Sequence, residues 1–456
     1  MGKKRSEWKT RERKRSEKQD NPLKCLVKVQ RHFFADLQKW IDEIEDPRNE
    51  AYITYTQADL IAIGCMKNLC SVESMRNMSE NFNEETCIRN LSIISGDPAL
   101  REIPHYDTLN YYLEKLSPQA LTDLRTKMVR SLIRSRDFDG SRLLGRYWRV
   151  ILDGTGLFYF KEKHCENCLK TVIKNEDGSK FVRYYHKVLE AKLVLADNIV
   201  ISLDTEFIEN ENENVTKQDC EINAAKRLLG RLKDNFPRMK ICIQGDALYA
   251  AETIMGICAR NDWKYLLTHK PNRQPTIDEF YNDLEDTDKT KVVGIGKERG
   301  TGFFYNHLER IAGKTQVMDL FEYRYEAEDE DGNTVQHRMM WITNINLTKT
   351  NLNSMVNAGR GRWKIENEGF NTQKNILYRI QHLNSRNGNA MKNHYLLTQI
   401  SDIIMQLYLA WDNAHSTIKK GLRNMADWLR ESFRKQALTD NDLQWIEKRT
   451  SLYLQK

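Results

Sequence analysis

The segment YWRVILDGTGLFYF, residues 147–160, marks the point where the sequence changes from helical to extended periodicity. Its β-branched and aromatic residues are typical of a buried β-strand, and its glycines predict a turn near Gly154-Thr155-Gly156. Asp153 comes directly after the apolar run Val150–Leu152. A carboxylate at such a position is unfavourable unless it is paired or ligated. The segment therefore predicts both the first strand of a core and a candidate site.

The sequence that follows predicts the rest of an α/β core. Two further strands are joined by a tight turn at Asp197-Asn198, and a helix, a strand, a helix and a strand come after them. This order predicts a ribonuclease-H-like mixed sheet flanked by helices. The predicted elements are the strands Phe181–Ala196 and Ile199–Phe207, the helix Asp219–Leu232, the strand Lys240–Gln244, the helix Ala250–Arg260 and the strand Trp263–Thr268.

Residues outside these elements divide into regions of different periodicity. Helical spacing dominates both ends of the chain, with the first helix expected over residues 24–48. Extended runs that alternate with turns dominate the stretch after the last core strand, which predicts a β-rich insertion. The predicted regions are a basic disordered arm (1–24), a helical region (25–140), the core (141–269 and 348–380), the β-rich insertion (270–347) and a second helical region (381–456).

The charge of the chain is concentrated in the arm. The formal net charge is +7, and residues 1–24, with ten Lys or Arg and four Asp or Glu, contribute +6 of it. Such an arm is typical of non-specific binding to a polyanion, although a solubilising tail has the same composition. No apolar run reaches the ~18 residues of a membrane helix, no apolar signal segment is present, and nine scattered cysteines fit reduced thiols. We therefore expect a cytoplasmic protein without a membrane partner.

A second aspartate has the same setting as Asp153. Asp246 follows the predicted strand Lys240–Gln244, which should lie beside the first core strand. For either residue a turn or helix-capping role is the alternative. Transfer of a phosphodiester by two Mg²⁺ ions needs carboxylate ligands, and acids at the ends of buried strands are candidates for that role.

The third candidate acid is Glu366, in the segment GRGRWKIENEGFNTQK, residues 359–374. On an α-helix, Arg362, Glu366 and Phe370 would share one face. The neighbouring cations, Arg360, Arg362 and Lys364, surround a single acid with positive charge. A surface helix with ordinary ion pairs has a similar pattern.

The segments LDGTG around Asp153, GDALYA around Asp246 and RWKIEN around Glu366 resemble the DDE transposases of bacterial insertion sequences, in particular the IS-four-like branch. The resemblance covers roughly residues 105–405. It implies a ribonuclease-H-like core with a β insertion before the glutamate, and the spacings of 93 and 120 residues between the acids are compatible with it. It also implies that the three acids are catalytic and bind two Mg²⁺ or Mn²⁺ ions per active site.

The same branch carries a Tyr-Arg-Glu-Lys pattern on its glutamate helix, which this sequence matches in part. Arg362 matches the arginine, but Gly359 stands at the tyrosine position and Gln373 at the lysine position, with Lys374 one residue later. On an α-helix the lysine is displaced to ~80° from the glutamate's direction. The shift leaves Glu368 as a rival for the glutamate. The residues implied to bind DNA are Arg362, Lys374, Arg360 and Lys364.

The resemblance implies an activity and its partners. Such an enzyme cleaves DNA at the transposon ends and joins the 3′-hydroxyl to target DNA by in-line displacement. Its partners are double-stranded DNA, as terminal inverted repeats and as target, with a homodimer on the paired ends. The helical region 25–140 is the candidate for end binding, and the location is the bacterial nucleoid. Two alternatives remain: a transposase-derived DNA-binding protein without catalysis, and a ribonuclease-H-like nuclease without strand transfer.

A separate group of cysteine and histidine residues predicts a second metal site. His164-Cys165-Glu166-Asn167-Cys168 lies just beyond the first core strand, and His186 lies in the second. Cys-x₂-Cys is a common half-site for zinc, and a hairpin brings His186 towards it. Cys165, Cys168, His186 and His164 are therefore candidate ligands of a structural Zn²⁺, and a polar hairpin with two free thiols is the alternative.

Overall fold

The computed structural model describes residues 21–211, 217–308, 316–362, 365–415 and 419–448, and for residues 365–368 it describes the backbone alone. The chain divides into two compact units. The first contains the described parts of residues 1–131, 376–379 and 384–456, and the second those of residues 132–375 and 380–383. Among the described helices, none combines the length and the apolar character that a bilayer-spanning helix needs.

Helices dominate the described part of the chain from Pro22 to Ser135. The first described helix begins at Pro22, where Asn21 caps the amide groups of Leu23 and Lys24, and residues 1–20 lie outside the described residues. The helices are α1 (Pro22–Phe33), α2 (Leu37–Asp42), α3 (Gln57–Leu69), α4 (Met75–Asn81), α5 (Glu85–Ser95), α6 (Tyr106–Lys115) and α7 (Pro118–Ser135).

The single helix expected over residues 24–48 is therefore wrong, because α1 and α2 are separate. The break falls at Phe34, whose backbone leaves the helical region and whose side chain is buried. If the helix continued past Phe33, the side chain of Phe34 would point elsewhere. Burial of this aromatic ring therefore decides the local structure against the helical spacing of the apolar residues.

The second unit is built on a mixed sheet. Within the described residues ten strands pair in the order β2-β3-β1-β5-β6-β10-β9-β8-β7, and β4 also pairs with β3. The strands are β1 (Trp148–Phe160), β2 (Leu169–Lys174), β3 (Lys180–Ala196), β4 (Ile199–Ile208), β5 (Ile241–Gly245), β6 (Lys264–Thr268), β7 (Thr290–Ile295), β8 (Gly300–Tyr305), β9 (Asp319–Glu328) and β10 (Thr334–Thr343).

The centre of the sheet has the ribonuclease-H-like arrangement that the sequence predicts, which confirms the fold class. β1 pairs in parallel with β5, β5 pairs in parallel with β6, and β1 is antiparallel to β3. Each parallel connection contains a helix, as such crossovers require. These helices are α8 (Glu221–Asn235), before β5, and α9 (Glu252–Arg260), between β5 and β6.

The turn expected at Gly154-Thr155-Gly156 is absent, because β1 continues straight through these residues. They pair with Lys187–Leu189 of β3, and the register shifts only between Gly156 and Tyr159. The glycine at position 154 serves close packing instead of a turn. A Cβ atom there would lie 2.6 Å from a carboxylate oxygen of Glu221 in α8.

The β-rich segment after β6 extends the same sheet. Trp341 of β10 pairs with Thr268 of β6, and β9, β8 and β7 follow outward. The acidic turn between β9 and β10 closes a hairpin, as its sequence predicts. One helix was not expected in this segment, α10 (Pro275–Asp283).

The segment around the third candidate acid forms two helices where a single α-helix was expected. The first is α11 (Leu352–Arg360), and the second is a π-helix, Ile365–Ile376. Arg362 lies in the turn after α11 and not on one helix face with Glu366 and Phe370. The buried Gln244 of β5 fixes α11, because its side-chain amide donates to the carbonyl of Ala358 at 2.8 Å.

Residues 388–448, where the structure describes them, contain three helices that pack with the N-terminal helices of the first unit. Asn393 donates to the carbonyl groups of Leu113 and Leu116 at 2.8 Å each, and a Cβ atom on Gly64 of α3 would lie 3.0 Å from Leu397. The two helical regions of the sequence thus share one core. The helices are α12 (Gly388–His415), α13 (Leu422–Lys435) and α14 (Asp440–Glu447).

The packing of α11 on the sheet predicts the effect of a single methyl group. A Cβ atom on Gly359 would lie 2.6–3.0 Å from the indole ring of Trp341. Gly359→Ala should lower the melting temperature in differential scanning calorimetry, because overpacking typically costs about 1–3 kcal/mol and outweighs the helix-propensity gain. The matched control is Gly230→Ala in α8, where no atom lies within 4 Å. That change should be neutral or stabilising, by up to about 1 kcal/mol; equal behaviour of the two variants would contradict the packing argument.

Candidate active site

The parallel pairing of β1 with β5 brings two candidate acids to one end of the sheet. Ile151 pairs with Gln244, so the positions two residues further along each strand, Asp153 and Asp246, are also level. Asp153 is still within β1, while Asp246 comes directly after the last residue of β5. Both side chains are partly exposed, as a site that receives a solvated ligand requires.

Backbone amide groups hold both carboxylates. The N–H of Gly154 donates to Oδ1 of Asp153 at 2.9 Å, and the N–H of Leu248 donates to Oδ1 of Asp246 at 2.8 Å. The second contact is the side-chain turn that an aspartate forms at the end of a strand, so the turn role considered for Asp246 is real. It engages one oxygen of the carboxylate and is compatible with ligand binding by the other.

The electrostatic environment of Asp153 is unusual for an aspartate. Burial raises its pKa to about 6; the guanidinium of Arg362 and the N–H of Gly154 oppose the rise, while the carboxylates of Glu221 and Asp246 add to it. Carboxylates that raise the pKa of Asp153 mark a site where a cation binds favourably, because the cation removes the repulsion.

Glu221, in the first turn of α8, is a member of this cluster that the sequence does not reveal. Its carboxylate accepts a hydrogen bond from the hydroxyl of Tyr249 at 2.7 Å and forms an ion pair with Lys187 of β3. Burial and Glu221 both raise the pKa of Tyr249, so the phenol stays protonated and keeps donating. An acid in the first turn of a helix is common. Only the packing of Glu221 against Gly154 in the structure places this acid beside Asp153.

Arg362 and Arg360, both predicted to bind DNA, have different settings. Arg362 is partly exposed and close enough to Asp153 to lower its pKa. Arg360 makes a bidentate ion pair with Glu298 and lies over the ring of Tyr325, 5.1 Å from its centroid. This guanidinium holds the pKa of Glu298 down to about 2. The charge of Arg360 is therefore already matched within the protein, whereas the charge of Arg362 acts on Asp153.

The π-helix that contains Glu366 packs on the strand that contains Asp153. Phe370, four residues after Glu366, is buried in a cluster with Ile151 of β1 and with Val194 and Val200 of the adjoining strands. Ile151 precedes Asp153 by two residues, so the backbone of the glutamate segment lies close to this end of the sheet. The side chains of Glu366 and of its rival Glu368, and all of Lys364, lie outside the described residues.

The two candidates for the lysine role, Gln373 and Lys374, differ in exposure. Gln373 is fully buried, whereas Lys374 is partly exposed, with its ammonium group 5.9 Å from the centre of the Phe370 ring. A π-helix has about 4.4 residues per turn. Viewed along the helix axis, Lys374 then lies about 65° from the direction of Glu366, and Gln373 lies about 150° from it.

The tyrosine position of the pattern, Gly359, is closed by packing. The indole ring of Trp341 occupies the space that any side chain at this position would need. The packing of α11 on β10 therefore leaves no room for the tyrosine that the resemblance implies at this position.

The four predicted zinc-binding residues also come together. The ligand atoms of His164, Cys165, Cys168 and His186 all lie within 4.8 Å of one another. Within the described residues this is the one group of three or more such side chains that meets this distance.

Comparison with known proteins assigns the family. The sequence matches the family description "Transposase DDE domain" over residues 147–401, more than half of the chain. The chain belongs to the DDE transposase family. Proteins of this family are metal-dependent DNA nucleases and strand transferases, and a DNA-binding transposase is the class that the sequence predicts.

Two further comparisons, with solved structures and with curated proteins, do not add to the family assignment. A solved structure of the piggyBac transposase synaptic complex with hairpin DNA, by cryo-electron microscopy, aligns with a TM-score of 0.41 and 11% identity, over 95% of this chain and 83% of that one. A comparison with curated proteins gives no match.

The position of Glu221 predicts a role in metal binding for this DDE transposase. Glu221→Gln removes a negative charge beside Asp153 and leaves Lys187 unpaired, so a divalent cation at the site loses attraction. We expect Mn²⁺ to bind roughly three- to tenfold more weakly, as for the loss of about 1 kcal/mol of charge interaction. Titration followed by electron paramagnetic resonance of free Mn²⁺ measures this. Glu279→Gln, at an exposed position of α10, is the control, and unchanged affinity in Glu221→Gln would remove this residue from the site.

Proposed function

We propose that this DDE transposase cleaves DNA at the ends of its own element and joins the released 3′-hydroxyl to target DNA. Asp153, Asp246 and Glu366 are its catalytic carboxylates. The observation that carries the proposal is the pairing of β1 with β5, which brings Asp153 and Asp246 level at one end of the sheet. Both lie inside the stretch that matches the transposase domain.

The donor set of this cluster fits a hard divalent cation. Asp153 and Asp246 offer carboxylate oxygens, which are the ligands that Mg²⁺ and Mn²⁺ prefer. Each aspartate already has one oxygen oriented by a backbone amide group, so little side-chain freedom is lost on binding. Two such cations would stabilise the attacking and the leaving oxygens of a phosphodiester.

Glu366 completes the set in this proposal. Its segment packs on β1 through Phe370 and Ile151, which supports a position near Asp153. The hydrogen bond from Gln244 to Ala358 ties the preceding helix α11 to β5, two residues before Asp246. Both strands that carry the aspartates are thus attached to the segment that carries the glutamate, and this favours Glu366 over an acid elsewhere in the chain.

Arg362 and Lys374 are the proposed phosphate contacts beside these acids. The charge of Arg362 acts on Asp153, so this residue can hold a DNA phosphate next to the bound cations. Lys374 is proposed over Gln373 because Gln373 is fully buried, and the π-helix turns position 374 towards the side of Glu366. Arg360 and Lys364 stay predictions, and the ion pair of Arg360 with Glu298 argues for a structural role.

The partners proposed are the terminal inverted repeats and target DNA, held by a homodimer on paired ends. The assignment to the IS-four-like branch of bacterial insertion sequences rests on Arg362, Glu366 and Lys374. Two alternatives make different use of the same residues: DNA binding without catalysis needs no cation, and a nuclease without strand transfer needs no target DNA.

Incubation of the protein and Mg²⁺ with a supercoiled plasmid that carries the element's own ends tests the activity. Cleavage at the ends together with joining is the expected result. Cleavage alone would support the nuclease, and binding without cleavage would support the DNA-binding protein. Either of these two outcomes would contradict the proposal.

Substitution of each acid tests the assignment of the site. Asp153→Asn, Asp246→Asn and Glu366→Gln should each reduce cleavage by at least about 10³-fold, a loss of about 4 kcal/mol of transition-state stabilisation. Their binding to end DNA should remain largely intact, as measured by fluorescence anisotropy. Glu368→Gln is the matched control on the same helix and should cleave normally. Normal cleavage by Glu366→Gln and loss of cleavage in Glu368→Gln would transfer the role to the rival acid.

The salt dependence of end binding tests Lys374. Each phosphate contact contributes about 0.9 to the slope of log affinity against log salt. Lys374→Gln should lower the slope by about that amount, while Lys226→Gln, at an exposed position of α8, should not change it. An unchanged slope in Lys374→Gln would show that this lysine does not contact DNA.

A further inference from the structure

A cluster of two cysteines and two histidines lies between the end of β1 and the β2–β3 hairpin and has no part in the proposed transposition chemistry. Leu169 of β2 pairs with Tyr185 of β3, so Cys168 and His186, one residue further along each strand, stand opposite each other. Cys165 lies in the loop before β2, and His164 lies four residues beyond the end of β1. The hairpin register brings all four together.

The distances within the cluster match the edges of a metal-centred tetrahedron. Zn–S and Zn–N bonds of about 2.3 and 2.0 Å give edges of about 3.8 Å between two sulfurs and about 3.5 Å between a sulfur and a nitrogen. The two Sγ atoms are 3.5 Å apart, and each lies 3.4 Å from Nε2 of His186. His164 brings the fourth ligand atom within 4.8 Å of the others.

The surroundings hold these side chains in place. Cys168 and His186 are buried, and the ring of His164 stacks on Phe160 with centroids 4.4 Å apart. A carboxylate oxygen of Glu209 lies 3.7 Å from Nδ1 of His186. A carboxylate behind a histidine that binds metal through Nε2 is the arrangement that fixes the ring and raises its basicity.

Hydrogen bonds attach the cysteine loop to the end of β4. Asn210 donates its side-chain amide to the carbonyl of Cys168 at 2.9 Å, and Asn167 donates to the carbonyl of Asn210 at 2.8 Å. The backbone N–H of Asn210 in turn donates to the carbonyl of Asn167 at 3.2 Å. Three hydrogen bonds thus join the loop that carries both thiols to Asn210.

We propose that His164, Cys165, Cys168 and His186 bind one structural Zn²⁺ ion. Two thiolates and two imidazoles form a closed tetrahedral set, which leaves no position for water or substrate. Sulfur ligands select zinc over the hard cations that the carboxylates bind, so the two metal sites of the chain are chemically distinct. The zinc ion joins the end of β1, the start of β2 and the middle of β3 into one rigid corner.

Metal analysis of the full chain, purified without chelators, tests the proposal. Wild-type protein should contain about one Zn²⁺ per chain by inductively coupled plasma mass spectrometry. Cys165→Ser and Cys168→Ser should each lose most of it. Cys220→Ser, at an exposed cysteine outside the cluster, is the matched control and should retain it, as should Asp153→Asn, whose active site is changed.

Two measurements keep the test decisive if the serine variants fold poorly. Exchange of the wild-type ion for Co²⁺ should give the visible ligand-field bands of a tetrahedral ion and thiolate-to-cobalt charge transfer. His186→Cys should keep the metal with stronger charge transfer, because three cysteines and one histidine also form a structural zinc site. Wild-type protein without stoichiometric zinc, or a disulfide between Cys165 and Cys168 in mass spectrometry, would overturn the proposal.

Discussion

The parallel pairing of β1 with β5 is the constraint on which the candidate active site depends. Two strands in parallel need a long connection, and here it contains β2, β3, β4 and α8. Its last element, α8, begins with Glu221, which lies near the aspartates. Its earlier strands, β2 and β3, bring the cysteine and histidine residues together. A shift of one residue in the β1–β5 register would turn one aspartate to the opposite face of the sheet.

Charge balance around the aspartates explains why the site is built from so many elements. The carboxylates of Asp153, Asp246 and Glu221 repel one another, and Arg362, Lys187 and the hydroxyl of Tyr249 offset only part of that repulsion. Apart from Asp246 and Tyr249, which share the loop after β5, each of these groups comes from a different strand, helix or turn. The excess of negative charge is thus held by the fold as a whole, and a bound cation would relieve it.

The sequence allowed prediction of the core strands and of two neighbouring aspartates as candidates, because in β1 and after β5 an acid directly follows an apolar run. It did not predict Glu221, since an acid in a first helical turn looks like any other. Nor did it predict that β1 continues through Gly154, where a glycine leaves room for the carboxylate of Glu221, nearly seventy residues away. The break between α11 and the π-helix was missed for a related reason: local periodicity is compatible with one helix, and Trp341 and Gln244 act from the sheet.

The π-helix has a consequence for how relatives of this chain are to be recognised. Wider turns absorb an additional residue locally, so the sheet and the following helix need not move. If Glu366 and Lys374 have the roles proposed above, a motif search with a fixed spacing of seven residues would miss this chain, although the π-helix turns position 374 towards the side of Glu366. In the proposed site, a spacing of eight residues between Glu366 and Lys374 on this helix would therefore replace the spacing of seven on an α-helix.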